Sequence, residues 1–164
     1  MIKITDALRG EHGVLYRLFD HCEAGAAGWD LALTQAAGAQ LAAALATHAH
    51  LEDELLFVGL EAHVPREMGP LAVMRAEHQE IEGALAALET VEDVGQARAL
   101  LARAVGTGRE HFAKEEQVLF PIAEEMVPRE ELERLGAEWA LRRGVAVARR
   151  PACHVPAGFG CAAS

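Results

Sequence analysis

The chain has 164 residues, a length that suits a single domain, and a formal net charge of −10 at pH 7. This charge argues against a nucleic-acid backbone or an anionic membrane surface as a partner. No run of about 18 apolar residues is present to span a bilayer, and the N-terminus lacks the apolar segment of a signal peptide. Its three cysteines are too few for a disulfide framework, so we expect a cytoplasmic protein with reduced thiols. Alanine, leucine and glutamate dominate, and this composition favours helices.

The first predicted helix begins after Thr5 or Asp6, either of which can cap it, and ends near Glu23. At about 100° per residue, one face of this helix carries four large apolar or aromatic residues and one histidine. These residues are Leu8, His12, Leu15, Tyr16 and Phe19. His12 is therefore predicted to point inward.

The second predicted helix runs from Asp30 to about Ala62 and contains two competing His-x-x-x-Glu pairs. Residues four apart lie on one face of a helix, so either pair can present an imidazole and a carboxylate together. Leucines accompany His48 and Glu52 on their face, whereas the face of His50 and Glu54 is mostly alanine and acidic residues. We predict the first pair to be inward and the second to be solvated.

The third predicted helix runs from Pro70 to Leu88 or Thr90, and its apolar face includes His78. Glu82 lies four residues further along the same face. Two interpretations of Glu82 remain open: an edge residue that pairs with Arg75, or an additional group at a site with His78.

The fourth predicted helix begins after Asp93 and ends near Met126, with His111 and Glu115 on its inner face. The sequence around them repeats the one around His48 and Glu52, since each pair is followed by an acidic residue and then by Leu-Phe. Pro121 is expected to bend this helix. Polar side chains are expected to face outward: Arg98, Arg103, Arg109, Lys114 and Glu116.

A short fifth helix is predicted from about Arg129 to Arg142, with Leu132, Leu135 and Trp139 packing on the rest. The predicted fold is all-α: an up-down-up-down four-helix bundle with a short fifth helix over residues 1–143, followed by a weakly structured C-terminal tail over residues 144–164. The tail contains a small group of possible metal ligands without a second pair at a recognisable spacing. They are Cys153, His154 and Cys161.

Six inward groups converge in such a bundle, with one histidine from each long helix. They are His12, His48, Glu52, His78, His111 and Glu115. Burying four histidines and two carboxylates without a ligand would be costly, so the pattern predicts a metal site. Imidazole and carboxylate without thiolate suit iron, and also manganese or zinc. A ferritin-like site is the nearest rival, but it uses Glu-x-x-His, and no histidine here follows a glutamate at that spacing.

This order of ligands, with the Glu-Glu-x-x-Leu-Phe-Pro run at Glu115–Pro121, resembles the hemerythrin-like (HHE cation-binding) family over about residues 5–126. The resemblance implies a non-haem di-iron centre with two histidines on each iron. It implies Glu52 and Glu115 as bridging carboxylates, with an oxo or hydroxo bridge between the irons. Oxygen-carrying hemerythrins have a further histidine where this chain has Glu82, and that departure argues against simple oxygen carriage.

Two classes of function follow from this prediction. The first is a module that binds or senses a small oxidant, such as O2, NO or peroxide, or that holds iron. The second is a di-iron enzyme that turns over peroxide or NO or donates iron for cluster repair. Tyr16, one turn after His12, is a candidate proton or electron donor in the second class, or a core residue. A helical bundle without metal is the third possibility.

Overall fold

Five helices make up the part of the chain that the computed structural model describes, which is residues 2–65 and 69–146. Three of them are uninterrupted: α1 (Ile4–Ala26), α3 (Pro70–Thr90) and α5 (Arg129–Arg143). Helix α2 is α-helical over Leu31–Leu51, π-helical over Glu52–Phe57 and α-helical again over Val58–Leu60. Helix α4 is α-helical over Val94–Lys114, π-helical over Glu115–Leu119 and α-helical over Phe120–Met126.

Helices α1 to α4 form the predicted bundle, in which each helix packs against its neighbours along the chain and α4 packs against α1. Short connections between successive helices make neighbours antiparallel. Helix α5 packs on the outside of α1. Its Leu132, Leu135 and Trp139 are buried, as the sequence predicted.

The helix starts follow from local side-chain chemistry. Asp30, the predicted cap of α2, accepts a hydrogen bond from the Leu33 backbone N–H at 2.9 Å. Asp93 caps α4 in the same way. The cap predicted for α1 is wrong: the helix begins at Ile4, and Thr5 is buried inside its first turn. The Thr5 hydroxyl instead donates a hydrogen bond to Glu124 at 2.8 Å, because a tertiary partner is available there.

The apolar interior consists of two clusters, and the four long helices pass from one to the other. The first cluster contains Leu8, Leu51, Met74 and Leu119, whereas the second contains Leu15, Leu45, Ile81 and Phe112. In α1, α2 and α3 the inward histidine lies between these two sets of residues in the chain, and in α4 His111 immediately precedes Phe112. The fold therefore places a polar layer between two apolar ones.

Two predictions fall on residues outside the described ranges. These are part of the turn before Pro70, at residues 66–68, and the C-terminal tail with Cys153, His154 and Cys161 beyond residue 146. Cys22 is buried and has a free thiol. Among the described residues, no helix is both long and apolar enough to cross a membrane.

Candidate metal centre

The structure brings all six predicted groups together in the polar layer. The two glutamates are fully buried. Of the four histidines in this group, only His78 has a side chain more than a few per cent exposed, at 9 %. The alternative pair in α2 is on the surface, where the side chains of His50 and Glu54 are 63 % and 46 % exposed. The prediction that His48 and Glu52 point inward and that His50 and Glu54 are solvated is therefore confirmed.

The six groups form two clusters that share one carboxylate. His12, His48, Glu52 and Glu115 each offer a ligand atom within 4.8 Å of the others, and Glu52, His78 and His111 form a second set of this kind. Neither cluster includes Glu82, which is exposed.

Glu52 has an oxygen toward each cluster. Its Oε1 lies 2.9 Å from His48 Nε2 and 3.6 Å from His12 Nε2, while its Oε2 lies 3.5 Å from His78 Nε2. Glu115 also reaches both sides, because its Oε2 lies 3.3 Å from His12 Nε2 and 3.5 Å from His111 Nε2. Both carboxylates therefore lie between the pair His12 and His48 and the pair His78 and His111.

The inward atoms of the first cluster are poorly satisfied within the described part of the chain. Nε2 of His12, Nε2 of His48 and both carboxylate oxygens of Glu52 and Glu115 are buried, and none has a hydrogen bond of good angular geometry there. An unsatisfied buried carboxylate is costly, whereas a cation in the cluster would satisfy all of these atoms at once. The residues present therefore fit a metal centre on their own geometry.

The histidine rings are also held by aromatic contacts. Phe112 stacks on His12 with ring centroids 4.0 Å apart and an interplanar angle of 9°, and Phe57 stacks on His78 at 5.8 Å and 12°. Tyr16, predicted on the inner face, is half-buried and meets His12 edge-on with centroids 6.4 Å apart. These rings pack against the imidazoles of His12 and His78 and restrict their orientation.

Both bridging candidates begin a π-helical segment, Glu52 in α2 and Glu115 in α4. A π turn contains one more residue than an α turn and is frequent at functional sites. Pro121 lies in the first turn of the α-helix that follows the second segment, where a missing N–H costs least. The bend predicted at Pro121 stays a prediction, and the π-helical segment of α4 ends two residues before it.

A second layer of carboxylates faces the Nδ1 atoms of the histidines. His12 Nδ1 lies 2.8 Å from Glu116, and His48 Nδ1 lies 2.7 Å from Glu11. A carboxylate at Nδ1 fixes the tautomer that leaves Nε2 free for a metal and raises the basicity of the ligand.

The other two histidines have the same kind of neighbour. His111 Nδ1 lies 3.1 Å from Glu77, and His78 Nδ1 lies 3.8 Å from Asp53, which is an ion-pair distance rather than a hydrogen bond.

These four contacts form a ring around the bundle. A carboxylate of α1 faces the histidine of α2, one of α2 faces α3, one of α3 faces α4, and one of α4 faces α1. Every one of these carboxylates is the immediate chain neighbour of a candidate ligand, as Glu11 is of His12 and Glu116 is of Glu115.

Sequence reasoning missed Glu11, Glu77 and Asp53, although their position beside the candidate ligands was a usable signal. Glu116 was predicted to face outward with no part in the site. Its side chain is 35 % exposed, but it also bonds to His12. The helical wheel assumes α-helical pairing, and Glu116 lies in a π-helical segment where that assumption fails.

The buried carboxylates raise the pKa values of the histidines next to them. Burial lowers the pKa of His12, but contacts with Glu115 and Glu52 outweigh burial and raise it to about 10. Burial is likewise outweighed at His48, where Glu52 and Glu11 raise the pKa to about 9. Protons on these histidines therefore balance carboxylates in the absence of a cation.

The second histidine pair divides in the same field. Asp53 and Glu52 outweigh burial at His78 and raise its pKa to about 10, whereas burial lowers the pKa of His111 to about 4. The two Nε2 atoms lie 3.0 Å apart, and these opposite pKa shifts favour His78 as the donor and His111 as the acceptor. Burial and the charge of Glu52 raise the pKa of Glu115 to about 7.

The family comparison agrees with this geometry. The model of the Hemerythrin HHE cation binding domain matches residues 3–123, which include all six groups and end before α5. No match was found among curated proteins or among solved structures. Because the matched span covers most of the chain, this protein belongs to the hemerythrin HHE cation-binding domain family.

Proposed function

We propose that this protein binds two iron ions between its four long helices and uses them to bind or sense a small oxidant. The observation that carries the proposal is the sharing of Glu52 by both clusters, with Oε1 toward His12 and His48 and Oε2 toward His78. In this arrangement His12 and His48 belong to one ion, and His78 and His111 belong to the other.

The donor set supports iron. Four imidazoles and two carboxylates, without a thiolate, suit iron, manganese or zinc by ligand type. Zinc has no redox chemistry, whereas ferrous iron combines redox chemistry with the binding of ligands such as O2 and NO. The family supports a cation here in general terms.

A cavity next to the histidines supports the small ligand. It has a volume of about 190 Å³, lies between α2 and α3, and is lined by His48, His78 and His111. The remaining lining is mostly apolar: Ala42, Leu45, Ala46, Ala49, Ile81, Leu85, Ala86 and Phe112. Glu82 and Glu89, both exposed, are the acidic residues at its edge. An apolar cavity with acidic edges favours an uncharged ligand such as O2, NO or hydrogen peroxide over an anion.

The test is anaerobic loading with ferrous iron followed by separate titrations with NO, O2, hydrogen peroxide and azide, read by optical spectra. The proposal expects a saturable spectral change with at least one uncharged ligand and weaker binding of azide. An iron-loaded protein whose spectrum responds to none of the uncharged ligands would contradict it.

Two alanines of α2 supply a matched pair of variants for the cavity. Ala43 and Ala46 are both exposed, and of the two only Ala46 lines the cavity. Ala46→Phe should slow binding of the uncharged ligand, because its ring obstructs the path to the histidines, whereas Ala43→Phe should leave the rate near that of the wild type. Equal slowing in both variants would remove the cavity from the proposal.

A further inference from the structure

Helix α5 lies outside the matched span of the family, yet it reaches the polar layer through Glu11. Trp139 Nε1 donates a hydrogen bond to Glu11 Oε1 at 2.7 Å. Arg143 donates two more, from Nε to Oε1 at 2.6 Å and from Nη2 to Oε2 at 2.9 Å. Glu11 Oε2 is also the atom that faces His48 Nδ1 at 2.7 Å. Two side chains of α5 thus hold the carboxylate that orients a candidate ligand.

The docking of α5 is built into its sequence. Gly136, Trp139 and Arg143 are three and four residues apart and therefore share one face. A Cβ atom at Gly136 would lie 2.2 Å from the backbone oxygen of Ile2, so only glycine permits this close approach. Trp139 itself is buried, with 8 % of its surface exposed. The approach at Gly136 places Trp139 and Arg143 within reach of Glu11.

The clamp on Glu11 distinguishes it from the other carboxylates of the ring. Glu77 is backed by Lys114, which is a point charge with a side chain 43 % exposed. Asp53 has Arg75 Nε at 3.8 Å, which is an ion-pair distance rather than a hydrogen bond. Glu116 accepts only from His12 among the described residues. Arg143 instead offers a planar fork that fixes both the position and the plane of a carboxylate. Its side chain is 26 % exposed, less than that of Lys114.

We propose that Arg143, assisted by Trp139, is a positioning residue of the metal centre, acting through Glu11 on His48. This inference rests on the proposed function, because it needs a metal ion on His48 Nε2. The fork keeps Glu11 in the orientation that holds the His48 tautomer. It also places a positive charge on the carboxylate that faces His48, and this charge disfavours the ferric state. Helix α5 is then a functional part of the site.

The test compares Arg143→Met with Arg142→Met. Arg142 is the preceding residue of α5 and bonds to Glu138 and Glu54 on the surface, so it is a matched control for charge and for helix α5 itself. Affinity is measured with Co2+ in competition with a chelator, and the reduction potential is measured on iron-loaded protein. Arg143→Met should bind Co2+ about 10-fold more weakly, which is the lower end of the effect of losing an outer partner such as Glu11 itself.

The reduction potential separates positioning from simple loss of packing. Removing a nearby cation stabilises the higher-charged ferric ions, so Arg143→Met should have a lower potential than wild type. Arg143→Lys keeps the charge without the fork and should restore the potential. If Arg143→Met matches Arg142→Met in either affinity or potential, the inference is overturned while the proposed function stands. If wild-type protein takes up no metal, the proposed function fails, and the inference fails with it before any variant is compared.

Discussion

Nδ1 of His12 lies 2.8 Å from Oε1 of Glu116, and this contact joins the first long helix to the fourth. It closes the ring of carboxylates in which every histidine of the polar layer faces an acidic residue from another helix. A ligand histidine needs such a partner to keep its Nε2 free and directed at the metal. The geometry of the centre is therefore distributed over all four helices.

The ring of carboxylates predicts that Glu116 contributes to metal affinity. Glu116→Gln keeps the size of the side chain but removes the negative charge beside His12 Nδ1, so metal affinity should fall about 10-fold. Glu125→Gln is the control, because Glu125 is an exposed glutamate of the same helix. Chelator competition measures both variants. Equal affinities in the two would show that the contact with His12 is incidental.

The register of α2 predicts which histidine is indispensable. His48→Ala removes a buried group of the first cluster, so metal affinity should fall by more than about 100-fold, beyond the usual effect of an outer partner. His50→Ala removes a side chain that is 63 % exposed and should bind metal as the wild type does. Elemental analysis after dialysis measures both. Metal retained by the first variant and lost by the second would reverse the assignment.

The raised pKa values predict that metal uptake releases protons. His12, His48 and His78 have pKa values of about 10, 9 and 10, so they hold protons at pH 7 that a metal must displace. Lower pH favours the protons, so affinity should rise from pH 6 to pH 8, about tenfold per pH unit for each displaced proton. Calorimetry in two buffers of different ionisation enthalpy counts these protons. An affinity independent of pH would contradict the charge balance described for the cluster.

A surface contact predicts a separate effect of pH on stability. Lys3, Thr5 and Arg9 of the N-terminal region bond to Glu124, and they outweigh burial to lower its pKa from 4.5 to about 2. A lowered pKa stabilises the fold above pH 4.5, and this contribution is lost as the pH falls toward 2. Glu124→Gln should therefore reduce the free energy of unfolding by about 1 kcal/mol at pH 7, with a smaller difference at pH 3. Urea unfolding at both pH values measures it, and a difference that grows at pH 3 would refute the assigned cause.

The sequence predicted the elements whose signal is periodic. The helices, the inward histidines and the choice between His48 and His50 follow from apolar faces that repeat at helical spacing. The carboxylates that face the Nδ1 atoms could not be predicted in this way, because each faces a histidine of a different helix. Such a contact depends on how the helices pack and not on the pattern of one helix. Glu116 was misplaced because a π-helical turn breaks the rotation per residue on which the wheel depends. Thr5 was misassigned as a cap because Glu124, far away in the chain, offers it a better partner.

The metal content of the protein tests the central claim most directly. We expect two ions per chain, because Glu52 belongs to both clusters and each cluster offers two histidines. Protein loaded anaerobically with excess ferrous iron and then desalted should contain about two irons per chain by elemental analysis, whereas Glu52→Ala should lose both. Wild-type protein with one iron or less per chain after this loading would contradict a shared two-ion centre.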